Sequence, residues 1–208
     1  MNQTQFIEAL ENQKVIPVIV LEELEDAIPT ANALLKGGIS CMEITFRTDC
    51  AKEAIACVSK EVSEICVGAG TILNVEDAKR AVEAGASFIV TPGYSKEVVM
   101  WCKENDIAVL PGVATPTEIM YAIQDKCNPI KLFPVEELGG PRYCKTMHSV
   151  FPALTFIPSG GINDSNYEAY LNTPGIVAVG GSWFASRAMI QQKQFEEITK
   201  HAKQISKK

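Results

Sequence analysis

An α/β fold of the (β/α)8 TIM-barrel type is what this sequence predicts, on three observations. Apolar, β-prone runs alternate with helical stretches eight times, at a spacing of roughly 20–25 residues. The first run, Val15 to Leu21, is apolar without alternation, as a strand covered on both faces should be. The doubly wound open sheet shares the β/α alternation, but its dinucleotide fingerprint is missing, because Gly68-Ala69-Gly70 has no third glycine three residues on. No linker rich in proline, glycine or serine divides the 208 residues, so one domain over 1–208 is expected.

The elements follow in order. After Val15–Leu21, a helical stretch runs from about Leu24 to Lys36 and is stopped by Gly37-Gly38. Cys41 to Phe46 is the second strand, with a helix from Ala51 to Ser59. Ile65 to Gly70 is the third, with a helix from Val75 to Ala84 that ends at Gly85. Phe88 to Gly93 precedes a helix from Ser95 to Glu104. Ala108 to Val113 precedes one that starts at Pro116, a favourable first-turn proline, and reaches about Gln124. Pro129 to Pro134 is the sixth strand, with a helix to about Ser149. Thr155 to Gly161 is the seventh, with a short helix around Ser165 to Leu171. Ile176 to Gly181 is the eighth, and a long C-terminal helix closes the chain.

Composition narrows the function classes. Hydrophobic residues make up 47% and charged residues 21%, ordinary for a globular protein with a sizeable core. The longest apolar runs fall short of the roughly 18 residues that span a bilayer, and Met1 to Gln5 lacks the start of a secretory signal, so no membrane partner is expected. Seven cysteines, odd in number and without a CxxC pair, suit free thiols in a reducing cytoplasm. The net charge is −6 and no basic cluster is interleaved with aromatics; the Lys207-Lys208 tail reads as solvated, so no nucleic-acid partner is expected. With only two histidines, His148 and His201, a site of several histidine ligands cannot be assembled, which argues against a zinc- or iron-dependent hydrolase or aldolase. A carboxylate magnesium site stays open.

In a barrel, inward residues fill the lumen and chemistry sits at the C-terminal ends of the strands. On the second strand Glu43, Thr45 and Arg47 share one face, and Met42, Ile44 and Phe46 the other. The polar set then faces the lumen or its mouth; a salt-bridged plug, with Glu43 neutralised by Arg47 or Lys131, is the competing reading. Thr71, sharing a parity with Val67 and Ala69, and Thr91, beside Pro92, stand at the tops of strands three and four. They are substrate-binding candidates, though a hydroxyl that ties down the next turn explains each equally well.

Strands seven and eight end in Ser159-Gly160-Gly161 and Gly180-Gly181-Ser182, where such barrels bind phosphate through backbone N–H groups and a helix N-terminus. Tight turns that need positive φ would explain the glycine pairs as well. The sixth strand holds a lysine inside an apolar run, Pro129-Ile130-Lys131-Leu132-Phe133-Pro134. On an edge strand it would simply face water. On the sixth of eight strands there is no edge, and alternation turns Lys131 and Phe133 inward. Burial and a nearby guanidinium both favour the neutral amine that attacks a ketone, Glu43 opposes them, and the balance stays open. Arg47 offers a bidentate fork for a substrate carboxylate.

Glu43-Ile44-Thr45-Phe46-Arg47-Thr48, Val67-Gly68-Ala69-Gly70-Thr71, Pro111-Gly112-Val113-Ala114-Thr115-Pro116, Lys131-Leu132-Phe133-Pro134, Pro158-Ser159-Gly160-Gly161-Ile162 and Gly180-Gly181-Ser182-Trp183 occur in that order. Together they resemble the 2-keto-3-deoxy-6-phosphogluconate (KDPG) aldolase family, which includes 4-hydroxy-2-oxoglutarate (KHG) and KDPGal aldolases. The resemblance implies a class I aldolase that splits KDPG, a phosphorylated 2-keto acid, into pyruvate and glyceraldehyde 3-phosphate. It implies a covalent imine on Lys131 with no metal or other cofactor, and Glu43 as the acid/base, partly through water. Arg47 and Thr71 would hold the pyruvyl carboxylate, Phe133 would pack beside the imine, and Gly160, Gly161, Gly181 and Ser182 would bind the phosphate. It also implies a cytoplasmic homotrimer. Leu132 and Phe46 stand where Phe and Leu are common, both towards the helices, where repacking absorbs the exchange. Ser159 stands where KDPG-type members usually carry threonine; it keeps the hydroxyl for the C4 oxygen and loses a methyl that helps set stereochemistry. Strict selectivity over KDPGal is therefore open, and KHG, which the resemblance also implies, is an alternative substrate. A non-catalytic phosphosugar sensor is the alternative of another class, against which the titrating pair Lys131 and Glu43 speaks.

Overall fold

The apolar runs form parallel strands. In a computed structural model, which describes residues 1–11 and 13–206, these are β1 (Val15–Ile19), β2 (Cys41–Thr45), β3 (Cys66–Gly70), β4 (Phe88–Val90), β5 (Ala108–Leu110), β6 (Gly112–Val113), β7 (Ile130–Leu132), β8 (Phe156–Pro158) and β9 (Val179–Gly181). One sheet has the order β5-β4-β3-β2-β1-β9 and a second the order β6-β7-β8. The expected unbroken ring of eight ladders is thus a curled parallel sheet in two parts. The fifth expected strand is interrupted at Pro111, which has no N–H to give a ladder, although its carbonyl accepts from the Lys131 N–H at 2.9 Å. On the other side of the second sheet only isolated parallel bridges, Phe156 with Ile176 and Ser159 with Gly180, run from β8 towards β9.

The helices are α1 (Gln3–Glu11), α2 (Ala27–Lys36, after a 3-10 turn Leu24–Asp26), α3 (Ala51–Glu61), α4 (Val75–Glu83), α5 (Lys96–Glu104), α6 (Pro116–Gln124), α7 (Gly140–Val150), α8 (Tyr167–Leu171), α9 (Arg187–Gln191) and α10 (Phe195–Ser206). Side chains start several of them. Asn74 accepts from the Asp77 N–H, and Thr115 and Glu118 form a reciprocal capping box ahead of Pro116; such a cap is worth about 0.5–2 kcal/mol. Two differences from expectation stand out. The C-terminal helix is two helices, because Lys193 adopts φ 55° between α9 and α10 and pairs with Glu25 at 3.0 Å. And α1 was not expected, although Asn2 and Gln5 exchange backbone and side-chain hydrogen bonds at 3.0 Å as a capping pair, and Phe6 and Leu10 recur four apart. No helix among the described residues is long and apolar enough to cross a membrane. The Lys207-Lys208 tail lies outside the described residues.

Strand alternation sorts the core into two clusters. Ile19, Met42, Ile44, Val67, Ala69, Ile89, Val109, Val113, Ile130, Leu132, Phe156 and Val179 pack with the helices. Ile16, Cys41, Phe88, Val90, Ala108, Leu110 and Ile157 point to the inside of the curl, where Phe6 and Leu10 of α1 join them. Phe6 is fully buried, its ring centroid 4.7 Å from that of Phe88. The N-terminal ends of the strands are thus filled by apolar side chains and covered by α1. The polar inward residues are left at the C-terminal ends.

Candidate active site

Five of the buried polar side chains, Glu43, Thr45, Thr91, Lys131 and Ser159, stand at or next to the C-terminal ends of β2, β4, β7 and β8. Lys131 is 6% and Glu43 4% exposed. Each sits opposite strand positions without side chains. Lys131 is in register with Gly112 on the neighbouring strand. Gly112 must be glycine because a Cβ there would meet the backbone of Thr91 and Pro92 at 2.5–2.6 Å. Glu43 lies over Gly70, where a Cβ would strike its carboxylate, and Gly68 below yields its space to the Phe88 ring. The glycines of β3 therefore serve packing: they make the volume that Glu43 and Phe88 occupy.

No carboxylate lies within salt-bridge distance of Lys131 among the described residues, so the plug in which Glu43 is neutralised by Arg47 or Lys131 is not what forms. The Lys131 Nζ instead stands 5.1 Å from the centroid of the Phe133 ring, on the face that alternation assigned to both. Arg47 is exposed just beyond β2, and its Nε donates to Thr45 Oγ1 at 3.2 Å, which orients the guanidinium at the mouth. Thr45 in turn donates to the Ile19 carbonyl at 3.1 Å, tying β2 to β1 beneath it.

The threonines divide. Thr91 Oγ1 accepts from the Gly112 N–H at 3.1 Å, so its acceptor role ties β4 to β6 and the turn-holding alternative describes it. Thr71 has φ 59°, a left-handed conformation that is a genuine outlier for a β-branched residue. Simple alternation would group it with the helix-facing Val67 and Ala69; the left-handed backbone ends that alternation at the strand tip. Pro92 is half-buried next to Thr91.

The two glycine pairs differ. Gly160 and Gly161 have φ of 96° and 81°, as the tight-turn alternative required. Gly180 and Gly181 are strand residues outside the left-handed region; there the need is space, for Ser159 beside Gly180 and for the Trp183 ring over Gly181. No helix begins at either pair. The next helices, α8 and α9, have five residues each and start at Tyr167 and Arg187. Any anion held here is met by loop N–H groups. Those of Gly161 and Ser182 donate to no backbone acceptor among the described residues, while the Ser159–Gly180 bridge turns the Gly160 N–H towards β9. Gly161 and Ser182 are exposed, while Gly181 and Ser159 are buried. The Trp183 Nε1, next to this loop, is buried without a hydrogen-bond partner.

The family model described as "Aldolase: KDPG and KHG aldolase" matches residues 6–201. The chain belongs to the KDPG and KHG aldolase family. It is 43% identical over 192 residues to the 2-dehydro-3-deoxy-phosphogluconate aldolase of Treponema pallidum, covering 92% of this chain and 91% of that one. It is 37% identical over 190 residues to the KHG/KDPG aldolase of Escherichia coli K12, covering 91% and 89%. Among solved structures it is similar to KDPG aldolase from Legionella pneumophila, with pyruvate captured at low pH as a covalent carbinolamine intermediate. That similarity has a TM-score of 0.93 and 37% identity, and covers 96% of this chain and 97% of that one.

Several residues that shape the site were not singled out from the sequence of this family member. Gly70 and Gly112 were visible only as strand glycines, and what they clear room for depends on the neighbouring strand. Asn163, Asn166 and Tyr170 carry no signal in the sequence beyond their nearness to Gly160-Gly161, and Glu136, far from them in the chain, carries none at all. Among the described residues, no three His, Cys, Asp or Glu side chains gather closely enough to hold a metal ion.

Proposed function

We propose that the protein is a class I aldolase that cleaves 2-keto-3-deoxy-6-phosphogluconate to pyruvate and glyceraldehyde 3-phosphate. The observation that carries this is Lys131: a lysine buried on the inner face, with no carboxylate in salt-bridge distance among the described residues, beside Phe133 and in a family with a carbinolamine-trapping member. As free amine, Lys131 Nζ attacks the C2 ketone to form a carbinolamine, which loses water to give an imine. The protonated imine draws in the electrons of the C3–C4 bond as the C4 hydroxyl gives up its proton, which releases the aldehyde and leaves an enamine. C3 then takes a proton, and water hydrolyses the imine to pyruvate and free lysine. Every step after the attack moves a proton, and Glu43, buried over Gly70, is the group assigned to carry it, in part through water.

Arg47 and Thr71 hold the pyruvyl carboxylate, Phe133 flanks the imine, and Ser159 meets the C4 oxygen. Thr91 and Pro92 shape the wall behind Gly112, and Gly160, Gly161, Gly181 and Ser182 hold the phosphate. The free loop N–H groups support the last assignment. The β8–β9 bridges and the continuous chain through Pro111 support a closed (β/α)8 barrel as one domain. The lysine imine is the only covalent device, with no metal required, in a cytoplasmic homotrimer. Ser159 keeps the hydroxyl for the C4 oxygen but lacks the threonine methyl, which relaxes selectivity over KDPGal; KHG is the unphosphorylated alternative through the same imine, and the ratio of kcat/KM with and without the phosphate separates it from KDPG.

Borohydride reduction in the presence of pyruvate is expected to add one pyruvyl mass to Lys131 and to abolish activity, with no adduct on a Lys131→Met variant. An intact, active enzyme that traps no pyruvate, or traps it at another lysine, would overturn the assignment.

A further inference from the structure

Glu136 follows Lys131 by five residues and plays no part in the chemistry above, yet it touches the candidate phosphate loop directly in two ways and through Asn166 in a third, and it also bonds Tyr170. Its backbone N–H donates to the Gly160 carbonyl at 3.1 Å, just after the Val135 N–H donates to the Ser159 carbonyl at 2.9 Å. Its Cβ occupies the space that a Gly161 side chain would need. Its Oε2 accepts from Asn166 Nδ2 at 3.1 Å, and the same Nδ2 donates to the Gly161 carbonyl at 3.2 Å. The Oε2 also accepts from the hydroxyl of Tyr170, a ring that is fully buried. Burial, then this hydrogen bond, raise the Tyr170 hydroxyl well above the ordinary phenol range, which keeps it a donor.

These contacts fix two successive peptide planes. A trans peptide points its C=O and N–H in opposite directions. With the Gly160 carbonyl held by the Glu136 N–H, the Gly161 N–H must point away from Glu136. With the Gly161 carbonyl held by Asn166, and by Asn163 Nδ2 at 3.2 Å, the Ile162 N–H points away likewise. The clamp behind the loop therefore determines which way its donors face.

We propose that Glu136 is a positioning residue for phosphate recognition. Its backbone N–H holds the Gly160–Gly161 peptide and its carboxylate, through Asn166, the Gly161–Ile162 peptide, so that the N–H groups of Gly161 and Ile162 turn to the substrate phosphate, and it takes no part in imine chemistry. The inference rests on the phosphate assignment of that loop. In Glu136→Gln the amide oxygen can still accept from both donors that now share Oε2, but both bonds lose the negative charge that strengthens them.

The test compares kcat/KM for KDPG and for unphosphorylated KHG, together with competitive inhibition by inorganic phosphate, in wild type, Glu136→Gln and Asn166→Ala. The expected result is a fall of roughly tenfold for KDPG and a matching rise in the phosphate inhibition constant, with KHG turnover and pyruvate trapping on Lys131 unchanged. The double variant should lose no more than the worse single one, because both act through one chain of contacts. Equal losses on both substrates, or no loss on either, would overturn the inference. A wild-type enzyme indifferent to phosphate would remove the phosphate assignment itself and the inference with it. If Glu136→Gln does not fold, Asn166→Ala decides by the same criteria.

Discussion

Gly70→Ala tests the idea that a glycine on β3 exists to seat the catalytic carboxylate. Gly70 is a strand residue outside the left-handed region, so its backbone accepts alanine. The cost falls on Glu43. A Cβ at Gly70 would lie 2.6 Å from Glu43 Cγ and overlap the carboxylate, whereas ordinary contact begins at 3.4 Å. The side chain must retreat by about 1 Å at Cγ and more at the carboxylate, and even 1 Å costs on the order of 10²-fold in rate when it moves a catalytic group, or about 2.7 kcal/mol of barrier. The expected outcome is a kcat about 100-fold below wild type, a KM within a few-fold and an unfolding midpoint nearly unchanged. Pyruvate release coupled to lactate dehydrogenase measures the first two. Adding Gly70→Ala to a Glu43→Gln background should cost little more, since the group it displaces is already disabled. A folded Gly70→Ala enzyme within threefold of wild type, or a full loss repeated in the Glu43→Gln background, would refute the reasoning.

Two further outcomes concern stability. Phe6→Ala empties a fully buried position under the inner cluster and is expected to cost about 3–5 kcal/mol in urea unfolding, with kcat of the folded enzyme unchanged, since Phe6 sits at the pole opposite Lys131. Burial pushes the Cys102, Cys127 and Cys144 thiols from 9.0 up to about 12, 11 and 12. Because the folded values are raised, the native state keeps protons that the unfolded chain gives up above pH 9. The stabilisation is whole below that pH and is lost as pH climbs towards 11–12. Unfolding free energy should drop by about 1 kcal/mol per thiol between pH 8 and pH 10, and a stability flat across that range would refute it.

Much of the site was legible because strand alternation is a strict rule. Glu43, Thr45, Lys131 and Ser159 are inward and buried as the period of two required, and Leu132 and Phe46 pack towards the helices. Other features lie where the rule does not apply. Thr71 leaves the alternation through its left-handed backbone, and Gly180 and Gly181 answer a need for space that no local pattern reveals. The helix α1 shows in the sequence only as a capping pair and the Phe6–Leu10 spacing, too few apolar positions for the helical period to mark it.

By itself the sequence determined which residues can do chemistry and on which face of each strand they lie, since side-chain type and a two-residue period are local properties. Only the tertiary structure decided what each face meets. Glu43 over Gly70, Lys131 in register with Gly112, Thr91 bonded to Gly112, and Glu136 behind the Gly160-Gly161 loop all depend on contacts between segments far apart in the chain. Register is set by the packing of the whole core, which no single segment encodes.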